Sequence, residues 1–212
     1  MKRFGRIFLI IINIIVLVCI CYGLDTQTAT IYSLEEWSEK YKGLAYWEWY
    51  QKGEAYYKDF DFKNASTCLE IVLTRFPDHK DVLLIAGKSF SANNSESQGL
   101  DCFSHFLALY PKDKYNLERI CFFLESYEKY NELCEFTDLV LAVYPNDAFY
   151  LGFKSDALVG LGRYNEVIDV CNILIELYPD SIDNWMIKAR ALEKLGMYKE
   201  AEECYNHKFP LH

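Results

Sequence analysis

Residues 148–181 read Ala148-Phe-Tyr-Leu-Gly-Phe-Lys-Ser-Asp-Ala-Leu-Val-Gly-Leu-Gly-Arg-Tyr164, then Asn165-Glu-Val-Ile-Asp-Val-Cys-Asn-Ile-Leu-Ile-Glu-Leu-Tyr-Pro-Asp-Ser181. Two amphipathic patterns flank Leu161-Gly162-Arg163-Tyr164, and Pro179 closes the stretch. Leu151, Ser155 and Leu158 in the first half, and Val167, Cys171 and Leu174 in the second, recur at spacings of three, four and seven. That is the period of one buried face of an α-helix. The stretch therefore predicts a helix hairpin. A hairpin this small cannot bury its face alone, so neighbours of the same kind are required.

The neighbours are in the sequence. Pro77, Pro111, Pro145 and Pro179 stand 34 residues apart each time. Sliding the unit by 34 divides 46–212 into 46–79, 80–113, 114–147, 148–181 and a shorter 182–212. The fourth place holds Trp49, Leu83, Leu117, Leu151 and Trp185, and the eighth holds Gly53, Gly87, Cys121, Ser155 and Ala189. Tyr56, Phe90, Leu124, Leu158 and Leu192 follow at the eleventh place, then Ala65, Gly99, Leu133, Val167 and Ala201 at the twentieth. Period and positions resemble the tetratricopeptide repeat, whose signature is a Trp, a Leu-Gly pair, a Tyr, an Ala, an aromatic and a Pro at matching spacing. The resemblance spans about four fifths of the chain. It implies an all-α fold, a right-handed α-solenoid of helix hairpins, and a non-enzymatic scaffold for a protein partner it does not name.

The copies differ. The second has Asn93-Asn94-Ser95 at its turn and no aromatic in the seventeenth place, where Phe62, Tyr130, Tyr164 and Tyr198 stand, and is expected to be the weakest joint. The third sets Cys121 opposite Leu133, which predicts a wider hairpin than the one built on Gly53 and Ala65.

Lys2, Arg3 and Arg6 precede an apolar run over residues 7–24, broken only by Asn13. The run is at the short limit for a membrane span and long for a signal-peptide core. Residues 1–24 are therefore read as a transmembrane anchor or a signal segment. Basic residues before the run, and none after it until Lys40, put the N-terminus inside and the repeats outside. Residues 25–45 form a linker, in which Ser33-Leu-Glu-Glu36 is a capping box for a short helix. Cleavage would instead release a soluble envelope chaperone or assembly factor that holds client chains.

Composition narrows the partners. The net charge is −9, although the leading segment is purely basic. So acidic a body does not suit phosphate backbones, and nucleic acid is excluded as a partner. Of eight cysteines, Cys68, Cys102, Cys121, Cys134, Cys171 and Cys204 lie in the repeats. Cys68, Cys102 and Cys204 share one helical place. Helix spacings of about 8–10 Å exceed a disulfide's Cα reach of about 7 Å. A Cys121–Cys134 pair within one hairpin stays open, and the plainer reading is small apolar filler. Six unpaired thiols sit uneasily in an oxidising compartment.

No phosphate loop, dinucleotide fingerprint, nucleophile elbow or His-Glu-x-x-His motif is present, so no catalytic, cofactor or metal site is assigned and no small-molecule substrate is expected. Cys102/His105 and Cys204/His207 are three repeats apart and cannot share one tetrahedral metal.

The informative pattern is a second stripe on each first helix, two residues ahead of the buried one. In the family this stripe faces the concave groove. It reads Trp47, Tyr50, Glu54, Tyr57; Asp81, Leu84, Lys88, Ser91; Tyr115, Glu118, Phe122, Glu125; Phe149, Gly152, Asp156, Val159; and Asp183, Met186, Arg190, Glu193. Half of these are apolar or aromatic, where a solvated face would be charged. The expectation is a groove for a peptide or helical segment of a partner protein, with Arg119 beside it. Two other readings compete: aromatics packed against the next repeat, and aromatics at a membrane interface. Some family members clamp acidic chaperone tails with Lys, Asn and Arg on their first helices. The matching places here are Tyr50, Glu54, Ile85, Tyr115 and Arg119, of which only Arg119 fits, so that role is not transferred.

Overall fold

The computed structural model describes residues 46–208. The anchor or signal segment, the linker with its capping box, and residues 209–212 lie outside the described residues. Among the described residues all regular structure is helical, in ten helices. They are α1 Tyr46–Lys58, α2 Phe62–Arg75, α3 Lys80–Ala92, α4 Glu96–Leu109, α5 Lys114–Ser126, α6 Tyr130–Val143, α7 Ala148–Gly160, α8 Tyr164–Leu177, α9 Ile182–Lys194 and α10 Tyr198–Lys208. They pair as consecutive hairpins, with further contacts between adjacent first helices through most of the stack. No helix among them is long and apolar enough to cross a membrane.

The core is the stripe the periodicity picks out. All five residues at the eighth place and all five at the twentieth are buried. Leu117, Leu124, Leu133, Leu158 and Val167 are fully enclosed. Only the terminal copies leave their stripe half-covered, at Tyr56 and Trp185. Gly53 is required by close packing: a Cβ there would lie 2.7 Å from Leu69 Cγ and 3.3 Å from Cys68 Cβ. The sequence reading set Ala65 opposite it; the atoms in the way belong to the next turn of α2.

Local chemistry explains where helices start. Asp61 Oδ1 accepts from the Asn64 backbone N–H at 3.2 Å, and Asp113 Oδ1 from that of Asn116 at 3.2 Å. Each Asp satisfies a backbone donor that the helix itself leaves free. Lys80 Nζ reaches Asp113 at 2.5 Å and Lys114 Nζ reaches Asp147 at 2.7 Å. One first helix is thus tied to the cap of the next.

The hairpin turn uses one backbone conformation five times. Phe60, Asn94, Glu128, Gly162 and Gly196, at 34-residue intervals, all have positive φ, between 55° and 77°. Glycine suits that region without penalty and asparagine tolerates it; phenylalanine and glutamate do not. Asn94 also accepts from Lys129 Nζ at 2.5 Å. Within the second copy α3 and α4 lie in close contact along the hairpin. The third hairpin, α5–α6, is wider than α1–α2, as Cys121 opposite Leu133 predicts.

All six repeat cysteines are buried and free, Cys121 and Cys134 included. Burial pushes the Cys102 and Cys121 thiols up to about 12 and those of Cys68 and Cys171 to about 11. Protonated, enclosed thiols are inert, which removes the conflict with an oxidising compartment.

Candidate protein-binding face

The second stripe lies along the odd-numbered helices, and the structure divides it. Trp47, Tyr115, Phe122, Phe149 and Val159 are exposed, with Tyr115 at 65% and Phe122 at 53%. Those figures are incompatible with core packing at these positions. Tyr50, Tyr57 and Met186 are half-buried, and Leu84 and Ser91 are buried. The Tyr50 ring lies 6.2 Å from His79, and burial, then the charges of Glu54 and Asp81, push its hydroxyl up to about 12. Tyr57 leans on Phe62 at 5.7 Å, and Phe62 meets Tyr127 at 5.7 Å. The packing reading therefore wins at Tyr50, Tyr57 and Leu84, and the open face is centred on α5 and α7.

At that centre three rings meet edge to face. Phe122 is 5.7 Å from Phe149 and 5.0 Å from Phe153, and Phe149 is 4.9 Å from Phe153. Edge-to-face pairs at these distances attract through ring quadrupoles. Phe153 is buried and holds the two exposed rings upright. The sequence reading missed it. Its signal was Phe149 and Phe153 one helical turn apart.

Charges around the rings segregate. Arg119 donates to the Tyr115 hydroxyl at 3.2 Å. Lys88 is half-buried, 5.8 Å above the Phe123 ring, and burial together with the Arg119 charge brings its ammonium down to about 8. On the other side, burial and then Asp156 raise the Glu125 carboxyl, and desolvation by its neighbours raises that of Asp156, although the residue stays exposed. Asp156 also borders a cavity of about 310 Å³ between α7, α8 and α9, with Gly152, Asn184 and Ile187 in its wall. Glu54 pairs within its own helix with Lys58 at 3.1 Å, and Arg190 is exposed.

Among the described residues no three His, Cys, Asp or Glu side chains are placed to hold an ion. His105 instead meets Asp78, Nε2 to Oδ1, at 2.7 Å. The His207 side chain lies outside the described residues.

Two separate stretches, 49–79 and 182–207, match the family models of the tetratricopeptide repeat. They fall in the first and last copies of the 34-residue unit, and the helices between them keep its period. The chain is a tetratricopeptide-repeat protein. Among solved structures, a crystal structure of MamA protein is similar with a TM-score of 0.51 at 15% identity, covering 78% of this chain and 90% of that one. A MamA fragment from Desulfovibrio magneticus RS-1 is similar at 16% identity and a TM-score of 0.48, over 78% and 94% of the two chains. At such identity the likeness is one of fold. No curated protein matches the chain. As a tetratricopeptide-repeat protein it has its first helices lining the face where Tyr115, Phe122 and Phe149 stand open.

Proposed function

We propose that the chain is a non-enzymatic scaffold whose first-helix face holds a peptide or helical segment of a partner protein. One observation supports this most: Phe122 and Tyr115 are more than half exposed on the first-helix face, with Phe122 set in a cluster with exposed Phe149 and buried Phe153. Exposed aromatic side chains in a supported cluster are the usual anchors of a protein interface. The rim charges, Lys88, Arg119, Asp156 and Arg190, set register. Tyr50, Tyr57, Leu84 and Met186 support the face from below, while Trp47 and Glu54 extend it toward the first copy.

The test separates anchoring from packing. Truncating a true anchor loses about 2 kcal/mol of binding, some thirtyfold in affinity. Stability should hardly change, because the lost contacts are those of a half-exposed ring. Phe122→Ala and Tyr115→Ala should therefore melt within a few degrees of the parent and fail to retain the partner that the parent retains. A core role predicts a loss of about 3–5 kcal/mol for Phe122→Ala, seen as a much lower melting temperature.

Residues 7–24 would place this face outside a membrane, either tethered or released by cleavage as a soluble envelope factor. Three basic residues before that run set the orientation. Protease added to intact spheroplasts should digest the repeats; protection until lysis would reverse the topology. The intact mass of the isolated protein separates anchor from cleaved signal.

A further inference from the structure

We infer that the row Lys88–Phe122–Asp156 selects a partner segment bearing an acidic residue, an apolar centre and a basic residue in that order along the repeats. This rests on the scaffold reading above and gives its partner a chemistry. The three residues hold the ninth place of the second, third and fourth copies. A chain laid across the first helices meets a cation, an aromatic ring and a carboxylate in turn.

The protein leaves both charges unanswered. Four pairs between helices or at turns are made elsewhere, Lys80 with Asp113, Lys114 with Asp147, Lys154 with Asp138 and Arg163 with Glu166, while many other surface charges face solvent. Among the described residues neither Lys88 nor Asp156 has such a partner. Each instead feels its own sign nearby, Arg119 beside Lys88 and Glu125 beside Asp156. A half-buried cation such as Lys88 next to a like charge is unfavourable, as is the crowding of exposed Asp156 by Glu125, and an arriving counter-charge relieves each. The raised carboxyl of Glu125 and the lowered ammonium of Lys88 report that crowding.

Space is arranged to match. Phe122 stands exposed on the helix between the two charged ends, and exposed Phe149 adjoins it from α7. Beside Asp156 the cavity of about 310 Å³ is roomy enough for a long basic side chain. A Cβ added at Gly152, in its wall, would meet nothing within 4 Å. The occupant is a peptide segment and not a free anion, because an anion would answer Lys88 and leave the rings and Asp156 bare. Two helix spacings span on the order of 16–20 Å. An extended chain rises about 3.3 Å per residue. Acid and base should therefore be about five or six residues apart.

The experiment selects random displayed 12-residue peptides on the full chain held in detergent micelles. It repeats the selection on Phe122→Ala and on the double charge swap Lys88→Glu with Asp156→Lys. The enriched peptides should carry an acid and a base around an apolar centre. A representative should bind about tenfold tighter than its Asn/Gln isostere, and the double swap should reverse the preferred charge order. Should the swap not fold, Asp156→Asn at its exposed position gives the same comparison, losing only the preference for the base. Peptides that need Phe122 but show no charge preference, or keep it on the swapped protein, overturn this inference and leave the scaffold reading standing. No enrichment at all, or enrichment indifferent to both variants, overturns the two together.

Discussion

Glu132 sits at 3% exposure where α3, α4 and α6 meet, its Oε2 accepting from the Ser91 hydroxyl while Oε1 has no partner. The junction is closed from α4 by Gly99, where a Cβ would come within 2.9 Å of Oε2. Burial is the chief cause that brings this carboxyl up to about 7; the Ser91 hydrogen bond and Lys129 oppose it, and Glu96 and Glu135 reinforce it. The sign follows from linkage. A folded value above the unfolded one means that stability is fully present below about pH 4.5 and is lost as pH rises toward 7, where the folded carboxyl ionises too. The loss is on the order of 3 kcal/mol. Melting temperature should fall between pH 5 and 7.5, and Glu132→Gln should flatten that slope. Equal slopes in both proteins would contradict the account. No sequence pattern announced this group, because Glu132 looks like an ordinary first-turn acid of a helix until α3 is folded over it.

At the scale of the element, the repeated turn explains how unequal copies fold alike. The left-handed residue is Gly in the fourth and fifth copies and Phe60, Asn94 or Glu128 in the others. For a residue with a Cβ that conformation costs roughly 1–2 kcal/mol. Glu128 is exposed and supports no described contact that glycine would remove. Glu128→Gly should raise the melting temperature by about 2–4 °C if it gains about 1 kcal/mol, and Gly162→Ala should lower it by a similar amount. Changes of opposite sign would show that the turn is not strained. Hairpin size, period and core stripe were legible because burial enforces the 34-residue repeat at Leu117, Leu151 and their equivalents. The partner atoms across a hairpin were not. Gly53 meets Leu69 where Ala65 was expected, since sliding one helix along the other by a turn leaves the period unchanged.

For the molecule as a whole, the face of the first helices was half legible. A stripe of alternating rings and charges can be read from sequence, but whether a ring is open or covered depends on the neighbouring repeat. Tyr57 is covered through Phe62 and Tyr127, whereas Phe122 stays open because its nearest rings, Phe149 and Phe153, support it from one side. The unpaired charges at Lys88 and Asp156 were likewise invisible, since pairing depends on which side chains the stacking brings together. The central claim is that this open face, and not the outer face made by the second helices, meets the partner. Site-specific photocrosslinking in native membranes tests it most directly, with a photoreactive residue placed at Tyr115, Phe122 or Phe149 and, as control, at exposed Ile173 on α8. The account predicts one and the same crosslinked protein from the first three positions, none from position 173, and loss of the crosslink at Tyr115 when Phe122→Ala is added. Equal crosslinking from position 173, or crosslinks at position 122 to lipid alone, would contradict it.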